Sequence, residues 1–185
     1  MVSLTTPKLI LNMKAPDFSL KGIDEKNWTL EQCAGEKGLL VMFICNHCPY
    51  VKAILERLVR DTNDLKKLGI NSVAIMPNDT DNYPDDSFDN MKILSKDAAF
   101  DFPYLIDETQ EVAKSYGAIC TPDFFGFDAN LELKYRGRLD ASRKETAPAD
   151  ARRDLYEAMS ELAINGRTSL EQYPSMGCSI KWKEE

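Results

Sequence analysis

The chain has 185 residues, enough for one domain, residues 1–185, to bury a hydrophobic core without disulfide staples. With 30 acidic against 23 basic side chains its net charge is -7, which opposes phosphate backbones and anionic lipid heads, so neither nucleic acid nor a membrane is an expected partner. Five cysteines at irregular spacings do not make a secreted disulfide framework, and the N-terminal stretch has no charged region followed by a long apolar run. A cytoplasmic protein is expected.

In chain order, residues 18–30 (FSLKGIDEKNWTL) form two apolar stretches around Gly22, which predicts a hairpin-like entry, and residues 29–33 (TLEQC) predict a helical turn capped by Thr29. Residues 38–44 (GLLVMFI) are a continuous apolar run of strand length, as in a central strand covered on both faces. Apolar residues from Val51 to Leu68 recur at helical spacing and predict a helix from Pro49 to a stop at Gly69. Residues 70–77 predict a second buried strand, and residues 83–99 a helix opening at Pro84. Asp79, Asp81, Asp85, Asp86 and Asp89 are read as a solvated loop and helix start, because the run lacks the glycine and terminal glutamate of a calcium loop. A short strand at 103–107, a short helix at 109–117 and a hairpin at 123–137 follow, with Arg136 and Arg138 as a solvated charge pair. Residues 147–166 predict an amphipathic helix, and residues 167–185 a C-terminal extension lying on the domain. Strands alternating with helices, then a hairpin, predict an α/β fold whose sheet is partly parallel with an antiparallel edge.

Chemistry in such sheets gathers beyond the carboxyl ends of the strands, where Cys45 lies. The segment FICNHCPYVKAI (residues 43–54) sets Cys45 and Cys48 two residues apart and puts the chain's one histidine, His47, between them. If the helix starts around Cys45, free backbone N–H groups stabilise its thiolate; exposed CxxC thiols in such surroundings have pKa values of about 3.5 to about 7, against about 8.5 for ordinary cysteine. Cys45 is then the nucleophile. Cys48, one turn on, is placed to attack a mixed disulfide and act as resolver, while His47 favours the reduced dithiol. No second CxxC or HxxxH completes a structural zinc site, so no metal is expected and the redox group is a Cys45–Cys48 disulfide rather than a bound cofactor. Thr121-Pro122 opens a strand, where proline is allowed. Cys120, beside it, and Cys178, in the tail, are candidate auxiliary thiols that also read as packed residues, and Cys33 is read as structural.

CNHCPYV after a buried strand, TPDFFGFD (121–128) before a hairpin and APDFSL (15–20) together resemble the redoxin branch of the thioredoxin superfamily, which contains the alkyl-hydroperoxide-reductase/thiol-specific-antioxidant proteins and thioredoxin-like oxidoreductases. The resemblance spans about residues 15–162 and extends to a peroxiredoxin-like subgroup through NDTDNYPDDS, YRGRLDAS and GCSIKWK. It implies a thioredoxin-like fold, a central mixed sheet flanked by helices with an N-terminal hairpin extension and an inserted strand-helix unit. It also implies that Cys45 attacks, Cys48 resolves and Pro122 is cis against the dithiol. Thr121 offers backbone contacts to substrate, with Asn46 and Pro49 as further substrate contacts. The implied activity is thiol-disulfide exchange with a disulfide-containing protein or small-thiol substrate and a thiol electron donor; peroxide reduction and non-enzymatic redox sensing are the alternatives. True peroxiredoxins place threonine three residues before the reactive cysteine, where this chain has Met42, and the arginine expected before FFGFD is replaced by Thr-Pro.

Overall fold

The computed structural model describes residues 2–7 and 13–184, so residues 8–12 of the N-terminal stretch read above as lacking a leader lie outside it. Ten strands and six α-helices follow in order: β1 (Ser3–Thr5), β2 (Ser19–Gly22), β3 (Asn27–Thr29), α1 (Leu30–Cys33), β4 (Gly38–Phe43), α2 (Pro49–Lys52), α3 (Leu55–Lys67), β5 (Ile70–Met76), α4 (Phe88–Asp97), β6 (Tyr104–Ile106), α5 (Glu111–Tyr116), β7 (Cys120–Thr121), β8 (Asp123–Asp128), β9 (Leu133–Gly137), α6 (Asp154–Asn165) and β10 (Met176–Ser179). Seven strands make one mixed sheet in the order β3-β2-β6-β5-β4-β8-β9, with β4, β5 and β6 parallel and the outer pairings antiparallel. This is the predicted α/β sheet, covered by helices on both faces.

The central strand shows why. Every residue of β4 is buried, and its side chains alternate between two cores as the strand period of two requires. Leu40 and Met42 join the cluster built with α3 and α6, whereas Leu39, Val41 and Phe43 join the opposite one with Tyr116, Phe125 and Phe127. The entry hairpin and the Thr29 cap form as predicted, the latter as a reciprocal capping box with Gln32.

Three predicted elements differ, and one feature is new. The helix from Pro49 is interrupted, α2 ending at Lys52 and α3 starting at Leu55. The helix read from Pro84 is a 3₁₀ turn, Pro84–Asp86, then α4, because Ser87 takes extended backbone and caps Asn90 N–H. Residues 147–153 are not helical: the carbonyls of Ala147 and Pro148 accept from the Arg57 guanidinium, and a residue before proline is disfavoured in helical backbone. The chain ends bring the largest addition. β1, β10 and β7 make a second, three-stranded antiparallel sheet that the sequence reading did not contain, with β10 in the middle.

Candidate active site

Cys45 follows β4 by two residues, Asn78 follows β5 by two, and the 3₁₀ turn carrying Asp86 follows a few residues later, so the site lies beyond the carboxyl ends of the two central parallel strands. α2 begins at Pro49 with Cys48, not Cys45, as its N-cap. The free amide ends therefore serve the second cysteine, a correction to the expectation that the first sulfur receives them. Accessibility differs as well: Cys45 and Cys48 are both 0 % exposed. The sulfurs share one buried cluster and are shielded.

The Thr121–Pro122 bond is cis, as the resemblance implies. Thr121 touches both sulfurs, its Oγ1 lying 3.2 Å from Cys45 Sγ and its carbonyl oxygen 3.1 Å from Cys48 Sγ. A third sulfur completes the group. Cys178 pairs in register with Thr121 across β10 and β7 and packs in the same buried cluster as Cys48 and Cys45. Cys48 is the shared member of this row of three. Donors from Cys178 and Cys45, with the N–H groups of Val51 and Cys178, hold its pKa well below the ordinary thiol range despite burial. The Thr121 carbonyl opposes this by favouring a protonated Cys48, but one acceptor faces four donors. Hydrogen bonding to Cys48, followed by burial, pushes Cys45 and Cys178 up. These contacts favour ionisation of Cys48 over that of its two neighbours.

Of the acidic run, Asp81, Asp85 and Asp89 are exposed as expected, whereas Asp79 and Asp86 are buried. Asp86 is 0 % exposed and accepts hydrogen bonds from Asn46 N–H at 2.8 Å, His47 N–H at 3.3 Å and Asn78 Nδ2 at 2.7 Å. His47 Nδ1 lies 2.7 Å from its Oδ2, an ion-pair distance without hydrogen-bond alignment. Asn46 is fixed from its other end by Tyr104 O–H, 3.0 Å from its Oδ1, and by the Asp85 carbonyl. Donor atoms of Cys45, His47 and Asp86 lie within 4.8 Å of one another, but both Asp86 oxygens are already committed to these amides and the imidazole, which accounts for the cluster as a clamp on the CxxC turn. Asp86, Asn78 and Tyr104 were missed by sequence reasoning. They are separated from the CxxC by tens of residues, and a buried carboxylate in an acidic run carries no local signal.

His47 also lines an open groove of about 560 Å³ with Val2, Tyr83, Asp85, Ser179 and Lys181, its ring parallel to that of Tyr83. Pro49 starts α2 as expected. Cys120 is buried, donates to the Pro122 carbonyl at 3.6 Å, and has its pKa raised by burial. Burial likewise pushes Cys33 up to about 12, consistent with a structural thiol. Arg136 is not solvated: it is 8 % exposed and bonds to Asp123 at 2.9 Å and to the Gly117 carbonyl at 2.8 Å, while Arg138 pairs with the buried Asp154. Trp182, in the tail, is 39 % exposed.

Residues 11–136 match the family model described as AhpC/TSA family. The chain belongs to the AhpC/TSA family. Among solved structures, this family member is similar to an uncharacterized conserved protein from Geobacillus kaustophilus, with 43% identity over 100% of this chain and 98% of that one and a TM-score of 0.94. A hypothetical protein from Sinorhizobium meliloti 1021 shares 35% identity over 98% and 99% of the two chains, with a TM-score of 0.92. At 19% identity, a putative thiol:disulfide interchange protein DsbE from Chlorobium tepidum aligns over 85% of this chain and all of that one with a TM-score of 0.62, a likeness of fold. No curated protein matches. The AhpC/TSA chain thus has the thioredoxin-like fold implied by its motifs.

Proposed function

We propose that this protein is a thiol-disulfide oxidoreductase working through the Cys45–Cys48 dithiol. The observation that carries the reading is the meeting of the two CxxC sulfurs at one residue, Thr121, whose Oγ1 lies 3.2 Å from Cys45 Sγ and whose carbonyl oxygen lies 3.1 Å from Cys48 Sγ. Cys45 lies beside His47, which lines the groove, whereas Cys48 is enclosed by Cys45, Cys178 and Thr121, so the roles of attacker and resolver fall to Cys45 and Cys48. The favoured ionisation of Cys48 fits these roles, because the Cys45 thiol passes its proton to Cys48 as it attacks. The Cys45 sulfur displaces one half of the substrate disulfide as a thiol. The departing half takes the proton held by Cys48, whose thiolate then attacks the Cys45 sulfur; the second half leaves as a thiolate and takes its proton from solvent, so two electrons pass to the substrate as the Cys45–Cys48 bond forms.

Both sulfurs are buried under β10, so an incoming disulfide needs the tail strand to yield. His47, Pro122, Thr121, Asn46 and Pro49 are the surrounding groups: Thr121 meets the sulfurs, Asn46 and His47 are clamped by Asp86, and Pro49 sets the start of α2. The substrate is a disulfide of a protein or small thiol, the donor is a thiol, and a reducing cytoplasm suits both. Disulfide exchange is favoured over peroxide reduction because Arg136 is committed to Asp123 and Gly117 and is unavailable to polarise a peroxide at Cys45. In an insulin reduction assay with dithiothreitol as donor, the protein should turn over many times and Cys45→Ser should fall to the uncatalysed rate. Equal rates for the two proteins would refute the reading.

A further inference from the structure

β7 is two residues long and immediately precedes Pro122, so its free edge is the backbone edge nearest the dithiol. β10 fills it. Antiparallel pairing sets Cys178 opposite Thr121 and Ser179 opposite Cys120, with Ile180 N–H extending the ladder to the Ile119 carbonyl. The strand is closely fitted, since a Cβ on Gly177 would meet the Thr121 carbonyl oxygen at 2.2 Å, so only glycine permits this approach. It is also anchored on both sides of Cys178: Ser175 Oγ donates to the Pro122 carbonyl at 2.8 Å, Thr6 N–H to the Ser175 carbonyl, and Ser179 N–H to the Val2 carbonyl. Cys178 is therefore a positioned group, 3 % exposed, in contact with the Cys48 sulfur and with the Tyr50 amide of α2.

We propose that Cys178 is a third redox-active thiol, exchanging with the Cys45–Cys48 disulfide to form a Cys48–Cys178 disulfide that bonds β10 covalently to the active site. The step rests on the oxidoreductase reading above and needs no further oxidant. The Cys178 sulfur attacks the Cys48 sulfur, the Cys45–Cys48 bond breaks as the Cys48–Cys178 bond forms, and the proton of Cys178 passes to the departing Cys45 sulfur. Cys48 is the one sulfur in contact with both others, so it is common to the two disulfides. Thiols held in contact react with a large advantage over dissolved ones, and burial excludes external competitors. In the exchanged form Cys45 is again a free thiol beside His47, while the Thr121 edge stays covered until a thiol donor opens the bond.

Trypsin distinguishes the two disulfides. Cys45 and Cys48 lie on one peptide, residues 38–52, so their bond closes a loop within it; Cys178 lies on residues 168–181, so its bond links two peptides. Wild-type protein is equilibrated in graded mixtures of reduced and oxidised glutathione, quenched in acid, alkylated, digested and analysed by mass spectrometry. Both the looped peptide and the 38–52/168–181 pair should appear together, the pair being lost in Cys178→Ala and becoming the one internal disulfide of these three thiols in Cys45→Ala. The looped peptide at every mixture without the linked pair would overturn the role of Cys178 while leaving the oxidoreductase reading intact. Absence of both disulfides would overturn both.

Discussion

At the scale of single residues, the site depends on polar groups that reach the CxxC turn from elsewhere in the chain. Asp86 holds two consecutive backbone amides of the turn, the Asn78 amide and the His47 imidazole from a fully buried position. Removing an acceptor from buried donors costs about 1 to 3 kcal/mol for each group left unsatisfied. Asp86→Ala should therefore destabilise the protein by about 3 kcal/mol or more in urea denaturation, and Asp86→Asn by less, since it keeps an accepting oxygen. A loss below about 1 kcal/mol for Asp86→Ala would show that the turn holds itself. The residues that bear the chemistry were legible: CxxC and Thr-Pro announce themselves by type and spacing. Their electrostatics were not, because the charge on Cys48 follows from donors on α2 and β10 and from a helix start three residues later than expected.

At the scale of elements, long apolar runs were read with ease and short or polar ones were not. β4 and β5 are buried over almost their whole length, so their composition alone declares them. β10 is four residues, MGCS, with a glycine and two small polar or weakly apolar side chains, and its strand character comes from pairing with Thr121 and β1 rather than from propensity. The helix expected at residues 147–153 failed for the converse reason: its periodicity was adequate, but Pro148 and the grip of Arg57 took the carbonyls that a helix would use. Because Gly177 has no room for a Cβ, Gly177→Ala should lift β10 from β7, raising the rate of iodoacetamide alkylation at Cys48 by about tenfold or more if detachment costs about 1.4 kcal/mol or more less than in wild type. Mass spectrometry of the 38–52 peptide measures it. An unchanged rate would mean that β10 does not control access.

At the scale of the whole molecule, the sheet places the ends of two parallel strands, the Thr121 edge and the chain's C-terminal segment around one group of sulfurs. The order of the central elements was predictable from alternating strand and helix patterns; the closure of the site by both chain ends was not, since it joins β1, β7 and β10 across most of the sequence. No helix among the described residues is long and apolar enough to cross a membrane. What this assembly achieves chemically is one thiolate stabilised in a buried row of three cysteines. Because the Cys48 pKa is depressed, its thiolate forms as pH rises through a value well under that of an ordinary thiol and disappears only on strong acidification. The ultraviolet absorbance of thiolate in the fully reduced protein, followed as pH is lowered from about 9 to about 4, tests this most directly, ordinary thiols having a pKa of about 8.5. One thiolate should persist below neutrality in wild type and in Cys33→Ser and be lost in Cys48→Ser; disappearance of all absorbance near the ordinary thiol pKa in wild type, or its survival in Cys48→Ser, would contradict the account.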